Sequence, residues 1–499
     1  MSHAELMQRA QRAARGFQEL GVEEGDAVAV VLRNDFPFFE ASFATQQIGA
    51  YCVPVNWHGK TPEIAYVVKD CGAKAVLTHS DMLPQVGPAV PEGVQLLVVP
   101  TPPEIAAGYG LPASASALPA GAKIWGDWVK GFAPLPGSAA GGISSMIYTS
   151  GTTGNPKGVR RIMTPQGAAA MAQLAKAAFG IEPGLEMRTV VTGPLYHSAP
   201  NFFGLYSVRD GGLAILQPRF NEIELLELIH NYRITHVHVV PTMFVRLLRL
   251  PDEVKRRYDV SSLKVVAYGA APCPADVKRR MIEWWGPVLN EYYGATETGA
   301  ITLNNSQEAL LKPGTVGKAV PGAKIRILDD NGKQLGPREI GEIYLWLDGF
   351  PNFTYHNNPE KRAACERDGL VTIGDVGYLD EDGYLFLCDR KNDMVIMGGT
   401  NIYPAEIEAV LVNMPGVQDS AVFGIPDEEF GERVAAYVQL RDGAKLTDTD
   451  VRAYLKDRLA SYKVPHVIKF ADTLPREDSG KIMKRKLREP YWAGMSRRI

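Results

Sequence analysis

The chain has 499 residues, 45% of them hydrophobic and 22% charged, with a formal net charge of −3. At roughly 150 residues per domain, this length holds about two to four domains with ample core, and the balanced charge gives no electrostatic reason to expect nucleic acid or an anionic membrane as partner. Five scattered cysteines (Cys52, Cys71, Cys273, Cys365, Cys388) form no C-x-x-C pair, which argues against a disulfide framework or zinc site and for a reducing, cytoplasmic setting.

Leu6, Ala10, Ala13, Phe17 and Leu20 recur at helical spacing, so the N-terminus reads as an ordinary first helix rather than a transit peptide. β-branched runs follow at 27–32, 74–78, 188–192, 213–217, 235–240 and 264–268, with amphipathic stretches such as 222–233 between several of them. That alternation predicts layered α/β structure with largely parallel sheets. Residues 100–142, crowded with Pro, Ala, Gly and Ser, read as an exposed loop. From 314 to 389, strands joined by Asn-Gly and Asp-Gly turns predict antiparallel hairpins. After Arg390 the pattern is that of a small α+β unit. No apolar run approaches the ~18–20 residues of a membrane span, and no internal repeat is evident.

Chemistry concentrates in "SSMIYTSGTTGNPKGV" (144–159). An apolar strand leads into a loop whose glycines allow close approach to a ligand. Its hydroxyls and bare N–H groups, with Lys157, suit an anion such as a polyphosphate. It is not a Walker A loop, because Pro156 precedes Lys157 and Gly158 follows it. His236 and His238 share one strand face, but no carboxylate cluster accompanies them, so they read as core histidines and not metal ligands.

The full string resembles the phosphate loop of the adenylate-forming superfamily of acyl- and aryl-CoA synthetases, and further motifs follow in that family's order. They are "GPLYHSAPNFFGLYSV" (193–208), "YGAAPCP" (268–274), "NEYYGATETG" (290–299), "TIGDVGYLDEDGYL" (372–385), "DRKNDMVIMGGTNIYPAEIE" (389–408) and "LPREDSGKIMKRKLRE" (474–489). The resemblance covers nearly the whole chain. It implies a large N-terminal domain of layered α/β subdomains with a β-rich region (1–388), a hinge (389–392) and a small mobile α+β C-terminal domain (393–499). It implies binding of ATP, Mg²⁺ and coenzyme A, and activation of a small-molecule carboxylic acid in two steps through an acyl-adenylate.

Residue by residue, the resemblance makes Lys481, Thr296, Glu297 and His197 the catalytic candidates, with Glu297 also holding the metal. It gives ATP and AMP to Thr149, Ser150, Gly151, Thr152, Thr153, Gly154, Lys157, Gly269, Ala270, Ala271, Tyr293, Asp375 and Arg390. The acid pocket is expected from His197, Phe202, Tyr206, Thr242, Tyr268 and Gly294, coenzyme A contact from Gly398, Gly399 and Thr400, and the pivot at Asn392, where relatives carry Asp or Lys. Amino-acid-activating relatives place an acidic residue in this motif to pair with the substrate ammonium; none of residues 193–208 is acidic, which disfavours an amino-acid substrate and favours a fatty or aryl-alkenoic acid. Rival expectations are an acyl-AMP ligase loading a carrier-protein phosphopantetheine, an inactive nucleotide sensor, and a phosphotransferase releasing ADP. The oligomeric state, homodimer included, is open.

Overall fold

A computed structural model describes residues 1–137, 145–149, 155–182, 184–209, 212–391, 393–476 and 482–493. The fold is mixed α/β, with a large N-terminal part and a smaller C-terminal domain. The first helix, His3–Glu19, is capped by Ser2, whose hydroxyl accepts from the Glu5 N–H at 3.2 Å. Its apolar face is buried, as its periodicity predicts.

Two parallel layers follow. The first sheet runs Tyr51–Pro54, Ala27–Val31, Ala73–His79, Gln95–Val99. Ala27–Val31 is buried along its whole length, which is why its sequence is a continuous apolar run. The second sheet runs Lys318–Ala319, Gly299–Asn305, Leu289–Ala295, Val265–Tyr268, His236–Val239, Arg188–Val191, Leu213–Leu216. Its last five strands are mutually parallel and the first two pair antiparallel. Alternate side chains enter opposite cores: Ala267 and Val191 go to one, Val266, Tyr268 and Val190 to the other.

The region after residue 314 forms the predicted antiparallel sheet, from Ala323–Leu328, Gly341–Leu347, Leu370–Leu379, Glu366–Arg367 and Leu385–Arg390. A further antiparallel sheet joins Ile147–Thr149, Lys157–Arg161 and the distant Phe353–Tyr355. In the C-terminal domain, Val417–Asp427 and Gly431–Leu440 form a long hairpin flanked by Val395–Met397, Thr400–Ile402 and Val467–Phe470. Helices Pro404–Leu411, Asp448–Lys456 and Lys484–Trp492 belong to the same domain.

The stretch 100–142 differs from its reading as a loop. It contains the helices Pro103–Gly108 and Trp125–Lys130. Trp125 is fully buried, 5.9 Å from the Phe17 ring, and its indole N–H donates to Glu40 at 2.6 Å. Glu40 also pairs with Arg9 at 2.6 Å. One large aromatic side chain, stabilising by about 1.5–3 kcal/mol on burial, outweighs a local composition of turn formers. Among the described residues no helix is long and apolar enough to cross a membrane.

Candidate functional site

Parallel strands present their carboxyl ends on one edge, where the following loops are free to hold ligand. Here the strands ending at Val191, Val239, Tyr268 and Ala295 lead directly into residues 193–197, Thr242, Gly269–Ala271 and Thr296–Glu297. The sheet therefore collects four motifs that are far apart in sequence.

Asn34 fixes the first of these loops. Its amide donates to the Gly193 carbonyl at 2.9 Å and its carbonyl accepts from the Leu195 N–H at 3.0 Å. The Leu195 carbonyl in turn accepts from the Asn201 amide at 2.9 Å, so His197 leads into helix Ser198–Arg209 on a braced turn. The Thr296 hydroxyl donates to Ser198 at 2.9 Å, which joins the His197 loop to the Thr296–Glu297 segment.

Glu297 accepts from the Tyr355 hydroxyl at 3.0 Å. The Lys157 ammonium lies 5.7 Å from the centre of that tyrosine ring. Burial and the nearby Lys361 push the Lys157 ammonium below its ordinary range, while Glu297 pulls it back. Thr149 stands opposite Lys157 in the antiparallel register. Arg161, on the same strand face as Lys157, donates to the Thr296 carbonyl and packs 5.2 Å from the Phe350 ring. Burial pushes its guanidinium down to about 10, with Glu297 opposing that shift. Two cations, Lys157 and Arg161, thus stand near one carboxylate, Glu297, along the strand Lys157–Arg161.

A second cluster lies on the same segment. The buried Tyr293 hydroxyl donates to Asp375 at 2.8 Å, and Arg390, opposite Asp375 in the strand register, approaches it to 3.5 Å. Burial raises the Tyr293 phenol well above its ordinary value, and the Asp375 charge adds to this. Beneath the strand Leu289–Ala295, Lys278 pairs with Glu291 at 2.5 Å and bonds the Thr315 carbonyl at 2.8 Å, while the Asn304 amide donates to Glu291 at 2.9 Å. That buried network ties the strand to helix Ala275–Trp285. Close contacts require glycine here: a Cβ at Gly269 would lie 2.6 Å from the Tyr292 carbonyl, and one at Gly294 would collide with the Gly299 carbonyl. Ala270 takes a left-handed φ of 67° to turn the chain.

The aromatic residues expected at the acid pocket divide. Phe202 stacks on Tyr206 at 4.3 Å and lies 5.7 Å from Phe179. Phe203, Phe179, His238 and Tyr292 complete one cluster, in which the Tyr292 hydroxyl and His238 Nε2 are 2.8 Å apart. Burial pushes His238 down to about 3, so the ring is neutral. Tyr268 is placed elsewhere. Its side chain enters the opposite core, 5.1 Å from Phe244 and beside Glu291, because strand alternation gives the site face to Ala267. Thr242 sits in the first turn of helix Pro241–Leu248.

Gly398 and Gly399 form the two-residue turn between Met397 and Thr400, at φ of 56° and 81°. The Gly398 N–H donates to the Phe430 carbonyl at 2.9 Å, while a Cβ at Gly399 would meet nothing within 4 Å. Thr400 is exposed. Ser150, Gly151, Thr152, Thr153, Gly154, Asn392 and Lys481 lie outside the described residues. Among the described residues no group of three or more His, Cys, Asp or Glu could hold a metal ion.

Sequence reading missed Tyr355, Arg161, Ser198 and Asn34. Arg161 stands just beyond the quoted phosphate-loop motif, where a charged residue ending a strand was a usable signal. Tyr355 and Asn34 carry no local signal, since their partners are 58 and 159 residues away.

The model of the AMP-binding enzyme family matches residues 1–349, and that of the AMP-binding enzyme C-terminal domain matches residues 406–481. A feruloyl-CoA synthase of Amycolatopsis is 34% identical over 98% of this chain and 94% of its own. The fatty acid–[acyl-carrier-protein] ligase ScoC of Streptomyces coeruleorubidus is 29% identical over 100% of this chain and 93% of its own. Among solved structures, ATP-bound MatB from Rhodopseudomonas palustris superposes with a TM-score of 0.83 at 30% identity, covering 98% of this chain and 93% of that one. Apo MatB, also at 30% identity and covering 99% and 94%, gives 0.70.

Proposed function

Because the chain belongs to the AMP-binding enzyme family, we propose that it is an acid–CoA ligase that activates a hydrophobic carboxylic acid with ATP to an acyl-adenylate and pyrophosphate, then transfers the acyl group to coenzyme A with release of AMP. The observation that carries this reading is the convergence of Tyr293–Asp375–Arg390 and Lys157–Glu297–Thr296 on one edge of the sheet.

Asp375 has the carboxylate to accept from ribose hydroxyls, with Arg390 holding it oriented and Tyr293 flanking the base beside Gly269, Ala270 and Ala271. Lys157, Thr149 and the loop residues Ser150–Gly154 bind the phosphates. Glu297 would hold Mg²⁺. A site with one protein carboxylate fits that ion, which keeps most of its shell in water and phosphate oxygen and supplies charge neutralisation when bound. Thr296 donates to the α-phosphate, and Lys481 places a cation where the attacking carboxylate and the α-phosphate meet, offsetting their repulsion. His197 borders the acid.

In the second step the carbonyl must face a thiol instead of a phosphate. The C-terminal domain (393–499) turns on the hinge 389–392 about Asn392, withdraws Lys481, and brings Gly398, Gly399 and Thr400 to the pantetheine arm. The 1–388 domain keeps the nucleotide. The aromatic cluster of Phe179, Phe202, Tyr206 and Tyr292 supports a fatty or aryl-alkenoic acid, lined also by Thr242 and Gly294. The similarity to ScoC supports a second reading in which a carrier-protein phosphopantetheine is the acceptor.

A panel of fatty and cinnamate-type acids, scored for acid-dependent AMP and pyrophosphate with free coenzyme A or holo-carrier protein, tests both. The ligase reading expects AMP with coenzyme A. ADP release, or no acid-dependent AMP with either acceptor, refutes it.

A further inference from the structure

We propose that Arg249 and Asp389 are positioning residues that together hold the C-terminal domain in the arrangement that serves adenylation, an inference that rests on the two-step reading above. Among the described residues, side-chain hydrogen bonds join the two parts of the molecule at two separate points. At the hinge, Asp389 stands near the end of strand Leu385–Arg390, within the N-terminal sheet. Its Oδ2 accepts from the Ala405 N–H at 2.8 Å, in the first turn of helix Pro404–Leu411. That helix starts after Tyr403 and has no side-chain cap of its own. Asp389 therefore supplies, from the other domain, the acceptor that its first turn lacks. Lys484 of the C-terminal helix acts electrostatically on the same carboxylate while its ammonium sits 2.8 Å from Glu408.

The second point lies away from the hinge. Arg249, directly after helix Pro241–Leu248, donates from its guanidinium to the carbonyl of Gln418 on strand Val417–Asp427. Arg441 and Arg476 oppose the Arg249 cation, and Asp419, already paired with Arg476, is the carboxylate that favours it. Burial and the neighbouring guanidiniums both work against the Arg249 cation at this contact, which suits a bond that can open. A domain that must leave and return once per turnover needs a bond of this kind.

Lys391 shows which side of the hinge stays fixed. Its N–H donates to the Gly374 carbonyl at 2.8 Å, and its ammonium reaches Glu342 at 2.9 Å and Asp330 at 3.1 Å, all in the N-terminal part. Beyond it, Asp393 faces Arg488 of the C-terminal helix at 3.7 Å. A rotation after Lys391 preserves these contacts and breaks both Asp389–Ala405 and Arg249–Gln418. The arrangement described here superposes better on the ATP-bound form of MatB than on its apo form.

Hydrogen–deuterium exchange on the full chain, with and without ATP, reads the domain pose whichever acid is natural. Arg249→Ala should speed exchange over residues 403–411 by about fivefold or more, although its own bond is to Gln418, while the core strand Val265–Tyr268 stays protected. Arg249→Lys, which keeps the charge, should recover part of the protection. Asp389→Asn keeps an oxygen for Ala405 but drops the charge facing Lys484, and should fall between wild type and Asp389→Ala. In the half-reactions, Arg249→Ala should lower acid-dependent ATP–pyrophosphate exchange by about tenfold and leave thioester formation from supplied acyl-adenylate within about twofold. Unchanged exchange over 403–411 in Arg249→Ala, or equal loss of both half-reactions, overturns the proposal. A wild-type chain with no pyrophosphate exchange for any acid refutes the ligase reading instead, and the deuterium experiment still decides whether the two contacts act together.

Discussion

Tyr293 and Asp375, 82 residues apart and on strands of two different sheets, are joined by a buried 2.8 Å hydrogen bond. The phenol donates to the carboxylate. The bond locks strand Leu289–Ala295 of one sheet to the carboxylate on strand Leu370–Leu379 of the next.

Tyr293→Phe leaves a buried carboxylate short of one donor. The expected cost is about 1–3 kcal/mol of stability together with a several-fold rise in KM for ATP. Thermal unfolding and ATP titration check it. A rise in KM with stability intact would place the hydroxyl on the ligand rather than on Asp375.

Glu297→Gln keeps the shape of the side chain and removes its charge. Adenylation should fall by about a hundredfold, with a higher Mg²⁺ requirement, and Tyr355→Phe should give a milder loss in the same direction. Pyrophosphate exchange across a Mg²⁺ titration measures both. Equal Mg²⁺ dependence in wild type and Glu297→Gln would remove the metal from Glu297.

Lys481→Ala should abolish adenylation while ATP still binds, read by pyrophosphate release and by equilibrium binding. Gly399→Val places a branched side chain at a left-handed φ of 81° on a turn where nothing lies within 4 Å of a Cβ. It should impair thioester formation more than adenylation. Equal loss in both steps would count against that turn as the thiol approach.

His238, pushed down to about 3 in the fold against an ordinary 6.5, makes stability depend on acid. The unfolded chain takes up a proton below pH 6.5 that the folded chain refuses. The associated stability is therefore full above pH 6.5 and is lost as pH falls toward 3. His238→Gln, which keeps an acceptor for Tyr292, should flatten this acid limb. Urea midpoints between pH 7.5 and 5 check it, and parallel curves for the two proteins would rule it out.

The alternation of β-branched runs with helical stretches was legible because burial on both faces leaves strands with continuous apolar sequence, as in Ala27–Val31. The hairpins after residue 314 were legible because their turns need residues that tolerate positive φ, as Gly332 and Gly383 do here. The helix Trp125–Lys130 was not, since its burial depends on Phe17 and Glu40 more than eighty residues away.

Within the candidate site, Lys157, Thr296, Glu297, Asp375 and Arg390 were named through the resemblance of their motifs to the adenylate-forming superfamily, since such motifs are local runs of sequence. What the chain alone did not reveal was how those groups are held. Tyr355 reaches Glu297 from a third strand, Asn34 clamps the loop at Gly193, and Tyr268 turns away into the opposite core. Strand alternation and long-range pairing decide such matters, and both are properties of packing in three dimensions rather than of any local run of residues.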